Sequence, residues 1–96
     1  MKEHIDKFIA YLEVQKGASA HTVRAYKKDL ELFFASDPGM ELGDIRGFVA
    51  SEIKRGSKKS TASRRLAALR SFFRFLHREG YIKANPARLV SSPKLP

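Results

Sequence analysis

The side chains with the most to offer chemically are arginines set among small residues. Ser60, Arg64, Ala67, Ser71, Arg74 and Arg78 recur at alternating spacings of four and three, which places them along one face of an α-helix. Small residues let another molecule approach the backbone closely. Guanidinium forks on the same face donate to phosphate oxygens or to guanine edges. The surrounding segment from Lys54 to Arg78 holds nine basic residues and no acidic one. Its leading part (Ser57, Lys58, Lys59, Ser60, Ser63 and Arg64) is polar and basic, the character of a recognition helix that enters the major groove N-terminus first. The chemistry this pattern suits is binding of a polyanion, weighed against the plainer reading of a solvated helix face.

Other chemistries find no support. His4, His21 and His77 have neither metal-ligand spacing nor thiol or acidic companions, so no metal site is expected. The six glycines sit singly or at turns and form no phosphate-cradling loop. The carboxylates read as scattered over helix surfaces without a paired arrangement. Tyr11 and Tyr26 lie on or beside apolar stripes and Tyr81 follows a helix stop, so all three read as packing residues and not nucleophiles. Cysteine is absent, which removes disulfides and thiolate chemistry. No catalytic residue and no cofactor are expected.

The charge is polarised along the chain. Residues 1–53 carry seven Lys/Arg against nine Asp/Glu, whereas residues 54–96 carry twelve against one, Glu79. The formal net charge of +9 therefore comes from the second half, and that much self-repulsion is best compensated by a polyanion. Ninety-six residues, 43% of them hydrophobic, suit one domain with a modest core. No apolar run reaches the roughly 20 residues of a membrane span, and no signal peptide is evident, so no membrane partner is expected.

Helical periodicity runs throughout, so the expected fold class is all-α with four helices. The first spans about 3–16, with Ile5, Phe8, Ile9 and Leu12 on one face and Gly17 as its stop. The second starts after an N-cap at Ser19, carries Val23, Tyr26, Leu30 and Phe33, and ends by the turn Ser36-Asp37-Pro38-Gly39. The third begins near Asp44 and buries Ile45, Phe48, Val49 and Ile53. The fourth begins within Ser57–Ser60 and runs to Glu79, with Gly80 as its stop. A short turn is expected at Pro86–Val90, and residues 91–96 read as a linker. In the fourth helix Ala62, Leu66, Leu69, Phe73 and Leu76 form the apolar stripe, roughly 200° from the arginine stripe. Phe72 and Phe75 widen the apolar surface toward its C-terminal end. The second helix repeats the basic pattern more weakly, with His21, Arg24 and Lys28 outside its apolar stripe, Thr22 and Lys27 nearby, and Asp29 and Glu31 diluting the charge. It reads equally as a second DNA contact or as ordinary surface. Arg64 is read as facing outward, so that removing it leaves stability nearly unchanged.

Ser19-x-x-Thr22-x-x-x-Tyr26-x-x-Asp29-Leu30-x-x-Phe33 resembles the first half of the core-binding domain of tyrosine recombinases. Residues Arg65 to Leu76 resemble that family's most recognisable helix, Gly80 to Ala87 the motif after it, and Pro93-Lys94-Leu95-Pro96 the start of its interdomain linker. The similarity covers nearly the whole chain in order and is closest to the Xer-type branch, although phage and transposon integrases share the domain. The resemblance implies a four-helix, SAM-like bundle over 1–90 followed by a linker to a catalytic domain that would carry the nucleophilic tyrosine. It implies that the second and fourth helices face duplex DNA as one jaw of a C-shaped clamp. Carried over by position, the candidate DNA contacts are His21, Thr22, Arg24 and Lys28 on the second helix. On the fourth they are Lys59, Ser60, Ser63, Arg64, Ala67, Arg70 and Ser71. Double-stranded DNA and further recombinase protomers in a synaptic complex are the implied partners, in a bacterial cytoplasm and near the nucleoid, with the isolated fragment a monomer. DNA recombination or integration is the implied process, with chromosome-dimer resolution among its settings. One departure is plain: the family's Gly-Leu-Ser type turn before the fourth helix is here Gly56-Ser57-Lys58-Lys59-Ser60, with charge in place of the apolar plug.

Two other classes remain open at this level. A helical adaptor would use the basic fourth helix to bind an acidic or calmodulin-like protein. A stand-alone repressor would need an apolar dimerisation face, and none is evident.

Overall fold

The computed structural model describes residues 1–90 and contains four α-helices, with no strand among the described residues: α1 (Lys2–Val14), α2 (Ala20–Phe34), α3 (Leu42–Lys54) and α4 (Lys59–Arg78). The expected linker at 91–96 lies outside the described residues. The all-α expectation holds, and each helix has a local reason for its bounds. At α1 the chain turns through Gly17 at φ +60°, a conformation that costs residues with a Cβ. Ser19 caps α2, its Oγ accepting the Thr22 backbone N–H at 3.1 Å. The Ser36–Gly39 turn passes through Asp37 at φ +50°, which aspartate tolerates better than most residues. Helix α3 begins at Leu42, two residues earlier than expected, because Glu41 and Asp44 form a reciprocal capping box. Gly80, at φ +83°, ends α4, and the Tyr81 N–H reaches back to the Leu76 carbonyl at 2.9 Å.

Helix α4 is the axis of the bundle. Leu66, Ala68, Leu69, Phe72 and Phe73 are fully enclosed, and Phe75 and Leu76 nearly so. α1, α2 and α3 all pack on it, α2 most extensively. The aromatic residues interlock around its C-terminal half: Phe8 meets Phe72 edge-on at 5.5 Å, Phe34 meets Phe72 at 5.8 Å, and Phe33 meets Phe48 at 5.2 Å. Such pairs add to the roughly 1.5–3 kcal/mol that fully burying one large apolar side chain contributes. The segment after Gly80 closes the core with Ala87 and Val90. It does so through turns and not a fifth helix, the Asn85 Oδ1 accepting the Ala87 N–H at 2.9 Å.

One core assignment is corrected. Ile53, expected inside, is 39% exposed, and Glu52 is buried in its place at 2%. The reason lies in α4. Ile45, Val49 and Glu52 follow one helical face, and Glu52 is drawn inward by Arg65, whose Nη1 lies 2.7 Å from its Oε2.

Candidate nucleic-acid interface

The two basic stripes begin from simple helical phase. On α2 the core side is Val23, Leu30 and Phe33. His21, Arg24 and Lys28 are exposed on the opposite side. On α4, Lys59 and Ser60 are exposed, and Ser63, Ala67, Arg70 and Ser71 are partly buried along the outer flank. Thr22 is also partly buried. Its Oγ1 accepts from the Ser19 hydroxyl at 3.0 Å, so it helps close the start of α2.

Arg64 needs a correction. Its side chain is 46% exposed, yet it is not a freely outward arginine. Its Nε and Nη2 donate to Asp29 Oδ2 and Oδ1 at 3.0 and 2.8 Å, a two-point clasp across α2 and α4. The hydrogen bond and the charge of Asp29 raise the Arg64 pKa above its ordinary value, against the opposing effect of burial. The clasp brings the α4 stripe against α2 one residue from Lys28.

Asp29 itself is 1% exposed. It does not dilute the basic surface of α2, as its position in the sequence suggested. Arg65, 19% exposed, lies between two buried acids: its Nη1 is 2.7 Å from Glu52 Oε2 and its Nε is 3.5 Å from Asp29 Oδ1. The second distance is an ion pair only, since the buried Nε makes no hydrogen bond. Glu52 Oε2 also accepts from the Ser57 hydroxyl at 2.8 Å and lies 3.4 Å from Arg55 Nη2. The turn into α4 is thereby pinned by polar contacts. The Ser57 N–H adds a bond to the Glu52 carbonyl at 3.0 Å. Helix α4 then starts at Lys59, with Lys58 as an N-cap that makes no side-chain capping bond.

The other end of the arginine stripe is occupied differently. Ser71, Arg74 and Arg78 line a small cleft of about 100 Å³ against α1, with Tyr11 and Lys16 on the far side. Arg78 donates to the Tyr11 hydroxyl at 3.0 Å and its guanidinium lies 4.6 Å from that ring's centre. That hydrogen bond lowers the Tyr11 pKa from its ordinary value and raises that of Arg78. Ser71 thus lies against α1, whereas Arg64 is held against α2.

Asp29, Glu52 and Arg65 are the residues that sequence reasoning missed, and a signal for them existed. Each occupies an apolar phase of its helix: Asp29 between Tyr26 and Phe33, Glu52 after Ile45 and Val49, Arg65 between Ala62 and Leu69. Opposite charges at core phases on three helices mark an internal ion pair. No group of acids and histidines able to hold a metal ion occurs among the described residues. No described helix is long and apolar enough to cross a membrane.

Residues 5–80 match the family described as the phage integrase N-terminal SAM-like domain. The chain belongs to this family. Among curated relatives, it is 48% identical over 96 residues to the tyrosine recombinase XerC of Thermodesulfovibrio yellowstonii, covering 96% of this chain and 32% of that protein. It is 44% identical over 108 residues to the XerC of Pelotomaculum thermopropionicum, covering 99% of this chain and 35% of the relative. With the tyrosine recombinase XerD of Listeria innocua the identity is 37% over 103 residues, covering 98% and 35%. The chain therefore spans about a third of the length of these relatives. No solved structure matches it at a significant level. As a SAM-like domain of the integrase family, it matches the four-helix architecture that the motifs implied.

Proposed function

We propose that this domain binds duplex DNA as one jaw of a site-specific recombinase, through the outer faces of α2 and the leading half of α4. The observation that carries this reading is the disposal of the acids. Asp29 on α2 and Glu52 on α3 are turned inward and held by Arg64, Arg65 and Ser57, while Glu31 stays exposed on α2. His21, Arg24, Lys28, Lys59 and Ser60 remain on a surface from which those two carboxylates have been withdrawn. Such a surface favours phosphates electrostatically and loses affinity as salt rises.

In the whole recombinase, strand cleavage and rejoining belong to a catalytic domain with its own nucleophile. The task of this domain is to hold and orient the site, and further protomers complete the assembly on DNA. The reaction takes place in the cytoplasm, and the 96-residue chain alone binds as a monomer.

Fluorescence anisotropy with a labelled mixed-sequence duplex at several salt concentrations tests the reading. Log affinity is expected to fall linearly with log salt, at a slope of about −0.9 per phosphate contacted. Absence of duplex binding at low salt refutes it. Tighter binding to an acidic peptide than to duplex would favour an adaptor instead.

A further inference from the structure

Arg64 is held in an unusual way for a surface arginine: both its Nε and Nη2 are committed to one carboxylate that is itself 1% exposed. The guanidinium is planar and carries five N–H donors. Clasping the Nε–Nη2 edge leaves the terminal Nη1–Nη2 edge, whose two N–H groups run parallel, outside the clasp on a side chain that is 46% exposed. Asp29 cannot swing to follow the arginine, because it is buried and Arg65 lies 3.5 Å from Oδ1 on its other side. The helix neighbours of Arg64 on the outer face are Ser60 and Ala67, small enough for that edge to be presented close to the helix surface.

Resting on the DNA-binding reading above, we propose that Asp29 is a positioning residue that presets Arg64 to read a single guanine through O6 and N7 in the major groove. A free arginine must fix several torsions on reaching a base, whereas here that ordering is completed by the fold. A phosphate accepts an arginine from many directions and needs no such fixed plane. A guanine edge requires two parallel donors in one plane. The clasp therefore serves base selection more than general affinity.

Selection from a randomised duplex pool by the wild-type chain, Arg64→Ala, Arg64→Lys and Asp29→Asn tests this. The wild type is expected to enrich guanine at one position by about 5- to 150-fold over the other bases, the range for one bidentate contact. Arg64→Ala and Arg64→Lys each abolish that preference while other selected positions persist. Asp29→Asn abolishes it too, and adds nothing further in the Arg64→Ala background. A purely structural role for Asp29 would instead weaken all positions together, equally in both backgrounds. Retention of the guanine preference by Asp29→Asn, or loss of no single position in Arg64→Ala, overturns the proposal. If Asp29→Asn does not fold, the Arg64 Nε–H resonance of the wild type decides. It stays sharp and protected with the selected duplex bound if the clasp persists, and broadens or exchanges if Arg64 leaves Asp29 on binding. Failure of the wild type to bind any duplex at low salt would remove the underlying DNA reading, a result distinct from all of these.

Discussion

The two halves of α4 solve opposite problems with the same helical phase. In the C-terminal half, the inward positions are Leu69, Phe72, Phe73 and Leu76, enclosed by aromatic rings from α1 and α2. In the N-terminal half, the inward position Arg65 meets two buried carboxylates, and its neighbour Arg64 clasps one of them from the rim. One half anchors the helix by removing apolar surface from water, whereas the other adds charge pairing to the burial of Ala62, Leu66 and Ala68. Buried charge pairs contribute little net stability compared with good apolar packing, but they are costly to break from one side. The contrast suggests that the leading half gives up stability in exchange for a fixed, acid-free outer face.

Mutations at equivalent inward positions test that contrast. Phe73→Ala is expected to cost about 3–5 kcal/mol as a core truncation, measured by urea denaturation, and to leave any DNA footprint unmoved where the domain stays folded. Arg65→Ala follows at about 3 kcal/mol, near the lower end for breaking a buried pair because the arginine keeps some solvent contact. Its loss strands Glu52, so Glu52→Gln in the same background is expected to recover part of the stability. No recovery would mean that Arg65 acts through packing alone.

Arg64→Ala ranks third. A hydrogen bond to a charged group, reduced by solvent screening at a half-exposed arginine, corresponds to roughly 1–2 kcal/mol. This replaces the near-zero effect expected of an outward residue. Lys59→Ala is the smallest on stability, within about 0.5 kcal/mol for an exposed position, while the salt slope of duplex binding becomes shallower by about 1. At the opposite end of the stripe, Arg78→Ala is expected to return the Tyr11 hydroxyl upward toward its ordinary pKa, read by ultraviolet titration, since the Arg78 hydrogen bond is what lowers it.

Much of this was legible from residue spacing. The apolar phase of α4, the cap at Ser19, the stops at Gly17 and Gly80 and the outward setting of His21, Arg24, Lys28, Lys59 and Ser60 all follow from short-range periodicity. What escaped was pairing between helices. Helical phase says that Asp29 lies near Phe33, but it does not say which cation on α4 arrives beside it. Charged residues favour solvent by default, so periodicity alone favours Ile53 over Glu52 for the core and points Arg64 outward. The polar turn at Ser57 was visible as a departure from the family pattern. Its compensation, a serine bonded to a buried glutamate, was visible only in three dimensions.

The most direct test of the account is an amide NMR titration of the 96-residue chain with a short duplex at low salt. Shift changes are expected to cluster at His21, Arg24 and Lys28 on α2 and from Lys59 to Arg64 on α4, with the Phe-rich half of α4 and the outer face of α1 unaffected. Changes centred on α1 or α3, or no changes at all, would contradict it.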